Sequence, residues 1–172
     1  QSYSMSFSKK SIQFLRALKR NNDRSWFDEN RARYEVDLRT PSRAFIDQLK
    51  KPLSQLFPTL KIDYRCVGRI HRDTRFSNDK KPYKDYASFM FKDFESKEDS
   101  FPAIYFGFDS TGISLGCGSY QFSKPVREHF RDRVTSEPGA DTFSRALKCA
   151  VKNKFEIHGK DLKKIPRGYD PK

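Results

Sequence analysis

The first third of the chain places apolar residues three and four positions apart, which is the spacing of one face of an α-helix. The first such run predicts a helix over about 9–20, with an apolar side made of Ile12, Phe14, Leu15 and Leu18. A second helix is predicted to follow the capping sequence Asn21-Asn22-Asp23 and to end at Thr40-Pro41. A third helix is predicted within 45–56, with Pro52 as a kink or an early end.

After Pro58 the apolar spacing changes to two, which is the period of a β-strand. Residues 60–73 are therefore predicted to form a strand with one largely charged face. That face would carry Asp63, Arg65, Val67, Arg69, His71 and Asp73. The other face would carry Ile62, Tyr64, Cys66, Gly68 and Ile70. Further strands are predicted at 86–94, 102–109 and 112–120, and the turn residues at 109–112 predict an antiparallel hairpin.

Two more helices are predicted near the C-terminus. One begins at Ser123-Lys124-Pro125, and Pro138-Gly139 is predicted to separate it from the last helix. Helices, then strands, then helices is the order of an α+β fold, with an antiparallel sheet of about four or more strands packed against N-terminal and C-terminal helices. We expect a single domain over 1–172, with a flexible lead-in at 1–8 and an extended tail at 158–172.

Composition and charge indicate a folded, basic protein. Aromatic residues make up 15% of the chain, and 35 Lys and Arg against 22 Asp and Glu give a formal charge of +13, which favours anionic partners. No apolar run reaches the roughly 18 to 20 residues that span a bilayer. The three cysteines form no Cys-x-x-Cys pair, which indicates a reducing compartment and no zinc ribbon. We expect a soluble intracellular protein, cytoplasmic by default, with organellar import after removal of a presequence left open.

The most unusual segment runs from Arg65 to Lys84 and contains seven basic residues against Asp73 and Asp79. Clustered guanidinium groups repel one another unless carboxylates or a bound anion compensate their charge. One interpretation is therefore a phosphate or carboxylate pocket, and the other is a structural network of salt bridges. The predicted ligand-binding residues of this segment are Arg69, Arg72, Arg75, Ser77, Lys80, Tyr83 and Lys84.

Other residues are weaker predictions for the same site. Ser119 and Tyr120 follow the Gly-x-Gly at 116–118 and would join the pocket if the sheet brings them beside Arg69, whereas a bulge or tight strand exit also explains those glycines. His71 and Asp73 are the candidates for acid–base catalysis, against the alternative of a structural histidine. The sequence lacks metal-ligand spacings and indicates no particular cofactor.

The basic segment also resembles a known family. The run from Arg69 to Phe76, with Asp79-Lys80 and Pro82-Tyr83-Lys84, is similar to the signature of a bacterial and fungal family known as domain of unknown function 2461. Lys81 stands where that family usually has a small hydroxyl residue. The resemblance implies membership and a one-domain α+β fold, and it implies no reaction.

Three functions fit these observations. The favoured one is a site for an anionic ligand such as a phosphorylated small molecule, which requires that the basic residues converge in a concave pocket. A nucleic-acid-binding module would instead show a basic strip, exposed stacking aromatics and steep salt dependence. A structural or assembly subunit would use the basic surface against an acidic partner. The sequence specifies neither a reaction nor an oligomeric state.

Overall fold

The computed structural model describes residues 7–94, 102–119, 122–158, 164–166 and 168–169. The chain divides into two compact units, 1–123 and 124–172. The single domain predicted over 1–172 stays a prediction. Most of the tail predicted at 158–172 and the first six residues of the predicted lead-in lie outside the described residues.

The first unit begins with two capped helices. Helix α1 spans Lys9–Arg20, as predicted, and begins where the Ser8 hydroxyl accepts a hydrogen bond from the Lys10 backbone N–H. Helix α2 spans Arg24–Glu29, and the Asp23 carboxylate caps it by accepting from the Trp26 N–H at 2.9 Å. The predicted capping role of the 21–23 sequence is therefore confirmed at Asp23.

The prediction that Thr40-Pro41 ends a helix is wrong. Helix α3, Arg31–Tyr34, continues through a π-helical turn, Glu35–Arg39, directly into α4, Thr40–Leu56. In the widened turn the Thr40 N–H reaches the Glu35 carbonyl, five residues back. Pro41 lies in the first turn of α4, where the missing N–H of proline is tolerated. Helix α4 also continues past Pro52 to Leu56.

An antiparallel sheet follows the helices, so the α+β class is confirmed. Its strands are β1, Ala87–Phe91, β2, Ala103–Phe108, and β3, Ile113–Gly118, in the order β1-β2-β3. The predicted hairpin joins β2 to β3, and the Asp109 carboxylate closes its turn by accepting from the N–H groups of Thr111 and Gly112. The described residues contain these three strands, so the predicted count of four or more is not confirmed.

The strand predicted at 60–73 is wrong. Asp63 accepts a hydrogen bond from the Arg65 N–H and begins a 3-10 turn, Tyr64–Cys66, which bends the chain out of a regular ladder. After the turn, this segment pairs only through isolated bridges, Val67 to Phe89 and His71 to Tyr83. Three of the five residues predicted on the less polar face are nevertheless buried, namely Ile62, Cys66 and Ile70.

The core of the first unit is largely aromatic. Phe14 and Phe27 from α1 and α2 are fully buried, as is Phe89 from β1. Phe7 lies near this core, with its ring centroid 5.5 Å from that of Phe45 and 4.6 Å from that of Phe108. Aromatic contacts therefore tie the start of the chain to α4 and to the sheet.

The second unit contains α5, Lys124–Thr135, and α6, Glu137–Lys152. The rings of Phe130 and Phe143 meet edge to face with centroids 5.7 Å apart. The prediction that Pro138-Gly139 separates the two helices is wrong, because both residues lie in the first turn of α6, where proline is favoured. Within the described ranges, no helix is long and apolar enough to cross a bilayer.

Gly68 provides a test of the pairing beside β1. Its N–H donates to the Ser88 carbonyl at 2.7 Å, and a β-carbon at Gly68 would lie 2.9 Å from that carbonyl oxygen and 2.1 Å from the Ser88 hydroxyl oxygen. Gly68→Ala is expected to lower the free energy of unfolding by about 2 kcal/mol, because the two backbones must separate. Urea denaturation followed by circular dichroism measures this loss.

Gly116→Ala is the matched control. A β-carbon at Gly116 would lie more than 4 Å from the atoms of the other described residues, so this change should alter the unfolding free energy by no more than about 0.5 kcal/mol. Equal effects of the two substitutions would contradict the close approach at Gly68.

Candidate functional site

A closed loop carries four of the basic residues, namely Arg72, Arg75, Lys80 and Lys81. His71 and Tyr83 face each other as an antiparallel pair, with the Arg72 N–H donating to the Pro82 carbonyl at 2.9 Å. The Lys84 N–H donates to the Ile70 carbonyl at 2.8 Å. These bonds close residues 72–82 into one loop, which we call the basic loop.

Asn22 fastens the end of the basic loop to the junction of α1 and α2. Its side-chain NH₂ donates to the Tyr83 carbonyl, and its side-chain oxygen accepts from the Tyr83 N–H, both at 3.0 Å. The buried Tyr83 ring stacks on Phe27 of α2 with centroids 4.1 Å apart. This side-chain amide therefore acts as a strand partner for a single residue and fixes where the loop ends.

An open cleft of about 540 Å³ lies between this junction and the basic loop. It brings together the predicted residues His71, Arg72, Lys80 and Tyr83. The sequence analysis missed the other residues that line it, which are Asn22, Asp23, Arg24, Thr74 and Pro82. The signal for Asn22, Asp23 and Arg24 was their cluster beside a helix start, which is equally typical of plain capping, and the signal for Thr74 was its place within the basic segment.

The cleft carries more positive than negative charge. Arg24, Arg72 and Lys80 line it, Asp23 is the one carboxylate among the described lining residues, and Asp23 already caps α2. Arg72 is held by a salt bridge to Asp79 at 2.5 Å, which raises the pKa of the Arg72 guanidinium and lowers that of the Asp79 carboxyl. The Arg24 side chain makes no hydrogen bond or salt bridge with the described residues.

Lys80 is positioned by the backbone of its own loop. Its ammonium group donates to the Thr74 carbonyl at 3.0 Å. The Ser77 hydroxyl accepts from the Asp79 N–H at 3.2 Å, so this predicted ligand residue supports the loop and does not line the cleft. Most polar groups of the loop thus make contacts within the loop and stabilise its conformation.

Arg75 and Asp73 form a bidentate pair outside the cleft lining. The two guanidinium contacts measure 2.9 and 2.6 Å, and these hydrogen bonds lower the pKa of Asp73 to about 2. Asp73 is therefore ionised at neutral pH, where it has no proton to donate. His71 is the predicted acid–base residue that lines the cleft.

Arg69 and Lys84 also lie apart from the cleft lining. Lys84 is half-buried, and its burial, followed by the charge of Arg69, lowers the pKa of its amine. The ammonium lies 5.9 Å from the centre of the Tyr86 ring. Ser119 follows β3 and is absent from the cleft lining, and Tyr120 lies outside the described residues.

The described part of the chain contains no group of three or more His, Cys, Asp or Glu residues arranged to hold a metal ion. The residues that line the cleft include cationic, hydroxyl and imidazole side chains. Such groups bind anions by charge and by donated hydrogen bonds.

Asn22 provides a test of how the loop is fixed. Asn22→Ala leaves the N–H and carbonyl of Tyr83 without their partners in a half-buried position. The free energy of unfolding should therefore fall by about 2 kcal/mol, as measured by urea denaturation.

Asn21→Ala is the control on the neighbouring residue. The Asn21 side chain donates only to the exposed Ala17 carbonyl at the end of α1, so its loss should cost less than about 1 kcal/mol. Equal losses for the two variants would show that Asn22 is no more than another polar residue at a helix end.

Comparison with known proteins gives a family and no individual relative. No curated protein and no solved structure matches the chain. The family model described as "Conserved hypothetical protein (DUF2461)" matches residues 10–172, which include the cleft and the whole basic loop. The match covers nearly the full length, and so the chain belongs to the DUF2461 family of conserved hypothetical proteins.

Proposed function

We propose that the cleft beside the basic loop binds a compact anionic ligand, such as a phosphorylated small molecule. The observation that carries the proposal is Arg24, which lines a concave surface and whose guanidinium has no carboxylate partner among the described residues. Arg72 and Lys80 line the same cleft. A phosphate group would supply the charge that the single carboxylate, Asp23, does not supply.

Each cationic lining residue would make a different contribution to binding the anion. Arg24 offers a planar set of N–H donors that suits two oxygens of a phosphate or carboxylate. Lys80, held at the Thr74 carbonyl, offers a point charge in a fixed place. Arg72 contributes charge and is oriented by Asp79. A site whose cations are already positioned loses less side-chain entropy when its ligand binds.

Other residues of the predicted site would act through position and charge. The Asp73–Arg75 pair and Ser77 stabilise the basic loop through its own contacts. Arg69 and Lys84 add positive potential nearby, which speeds the approach of an anion. The proposal concerns binding, in which the His71 imidazole adds a hydrogen-bonding group to the cleft lining.

Calorimetric titration of the full chain with pyrophosphate tests this function. Arg24→Gln is expected to weaken binding at least tenfold, because it removes a charge-assisted contact from the cleft. Unfolding of the variant would not explain weaker binding of pyrophosphate, because the Arg24 side chain makes no hydrogen bond or salt bridge with the described residues.

Arg16→Gln is the matched control, since Arg16 is an exposed residue of α1 that does not line the cleft and its change removes the same charge. It should alter the affinity by less than about twofold, as expected for a distant screened charge. Equal weakening by both variants would mean that only the general charge of the protein attracts the anion. Absence of binding to the wild-type chain would overturn the proposal.

A further inference from the structure

Phe76 lies at the outer turn of the basic loop with its ring in solvent. Its exposure is 95%, the greatest of any large apolar side chain in the described part of the chain. The Ser77 N–H approaches the Thr74 carbonyl at 3.4 Å, which places Phe76 inside a tight turn. Burial of a phenylalanine ring stabilises a fold, so full exposure forgoes that stabilisation.

The surroundings of Phe76 are held in place. The Arg75 guanidinium lies 5.7 Å from the centre of the Phe76 ring and is itself fixed by its two contacts with Asp73. Thr74, two residues before Phe76, lines the cleft and accepts the Lys80 ammonium. An exposed ring therefore stands beside an arginine, within two residues of the cationic cleft.

An exposed ring beside an arginine and a cationic cleft suits a nucleobase better than an apolar partner. Phe76 is flanked in sequence by Arg75 and Ser77, so the ring does not belong to a continuous run of apolar side chains. A flat base gains from contact with one flat ring and one guanidinium plane. Two residues of chain span at most about 7 Å, which is within the reach of a nucleoside phosphate whose phosphate occupies the cleft.

We propose that Phe76 is a stacking platform for a nucleobase whose phosphate group occupies the adjoining cleft. The inference rests on the proposed function and narrows its ligand to nucleoside phosphates. The same chemistry is offered by a free nucleotide and by single-stranded nucleic acid, and the experiment distinguishes these two sources.

The test compares adenosine 5′-monophosphate with ribose 5-phosphate, which lacks the base, by calorimetric titration of the full chain. The nucleotide should bind the wild-type protein about tenfold more tightly than the sugar phosphate. Phe76→Ala should remove that difference and leave the affinity for ribose 5-phosphate unchanged. Its melting temperature should match that of the wild type, because the replaced ring is solvent-exposed.

Two further variants separate stacking from general apolar contact. Phe76→Trp keeps a flat ring and should retain the preference for the nucleotide, whereas Phe76→Leu keeps apolar bulk and should lose it. If the wild-type chain binds adenosine 5′-monophosphate and ribose 5-phosphate with equal affinity, Phe76 is not a stacking platform. The proposed binding of an anion in the cleft would be unaffected by that result. Failure of both phosphates and of pyrophosphate to bind would overturn both.

Titration with a six-nucleotide single strand shows whether the base belongs to a free nucleotide or to single-stranded nucleic acid. Binding at least a hundredfold tighter than that of the mononucleotide, and lost in Phe76→Ala, would support the platform and assign it to nucleic acid. Comparable affinities, both reduced by Phe76→Ala, would support the platform and assign it to free nucleotides. Binding of the strand with no effect of Phe76→Ala would overturn a role for the ring.

Discussion

The pairing of Asn22 with the backbone of Tyr83 is the constraint on which the candidate site depends. These residues are 61 positions apart, and two hydrogen bonds join them where a helix junction meets the basic loop. The stacking of Tyr83 on Phe27 secures the same contact with apolar surface. Because the loop is fastened there, Arg24 from the helix side and Lys80 from the loop side line one cleft.

The arginines around the cleft fall into two groups in the structure. Arg75 and Arg72 have carboxylate partners, Asp73 and Asp79, within their own loop. The Asp73–Arg75 pair is exposed and the Arg72–Asp79 pair is partly exposed, so each contributes little stability and serves mainly to orient side chains. Arg24, by contrast, has no such partner among the described residues. The division explains how one site can combine a salt-bridge network in the basic loop with a cation on α2 that is left for a ligand.

Local signals predicted the local elements well. The α1 bounds followed from apolar spacing, and the β2–β3 hairpin followed from the turn chemistry after Phe108. The strand expected at 60–73 failed because Asp63 captures the Arg65 N–H and turns the chain, an interaction that alternation does not reveal. The sequence did not predict Arg24 as a site residue, because the position of Arg24 in the cleft depends on the long-range contact made by Asn22.

The measurement that tests the central claim most directly is a crystal structure of the full chain grown with tungstate. Tungstate is a tetrahedral anion of about the size of phosphate, and its anomalous scattering locates it without ambiguity. The account predicts a strong anomalous peak in the cleft, within hydrogen-bond distance of the Arg24 guanidinium and the Lys80 ammonium. Peaks confined to other basic surfaces, with none in the cleft, would contradict it.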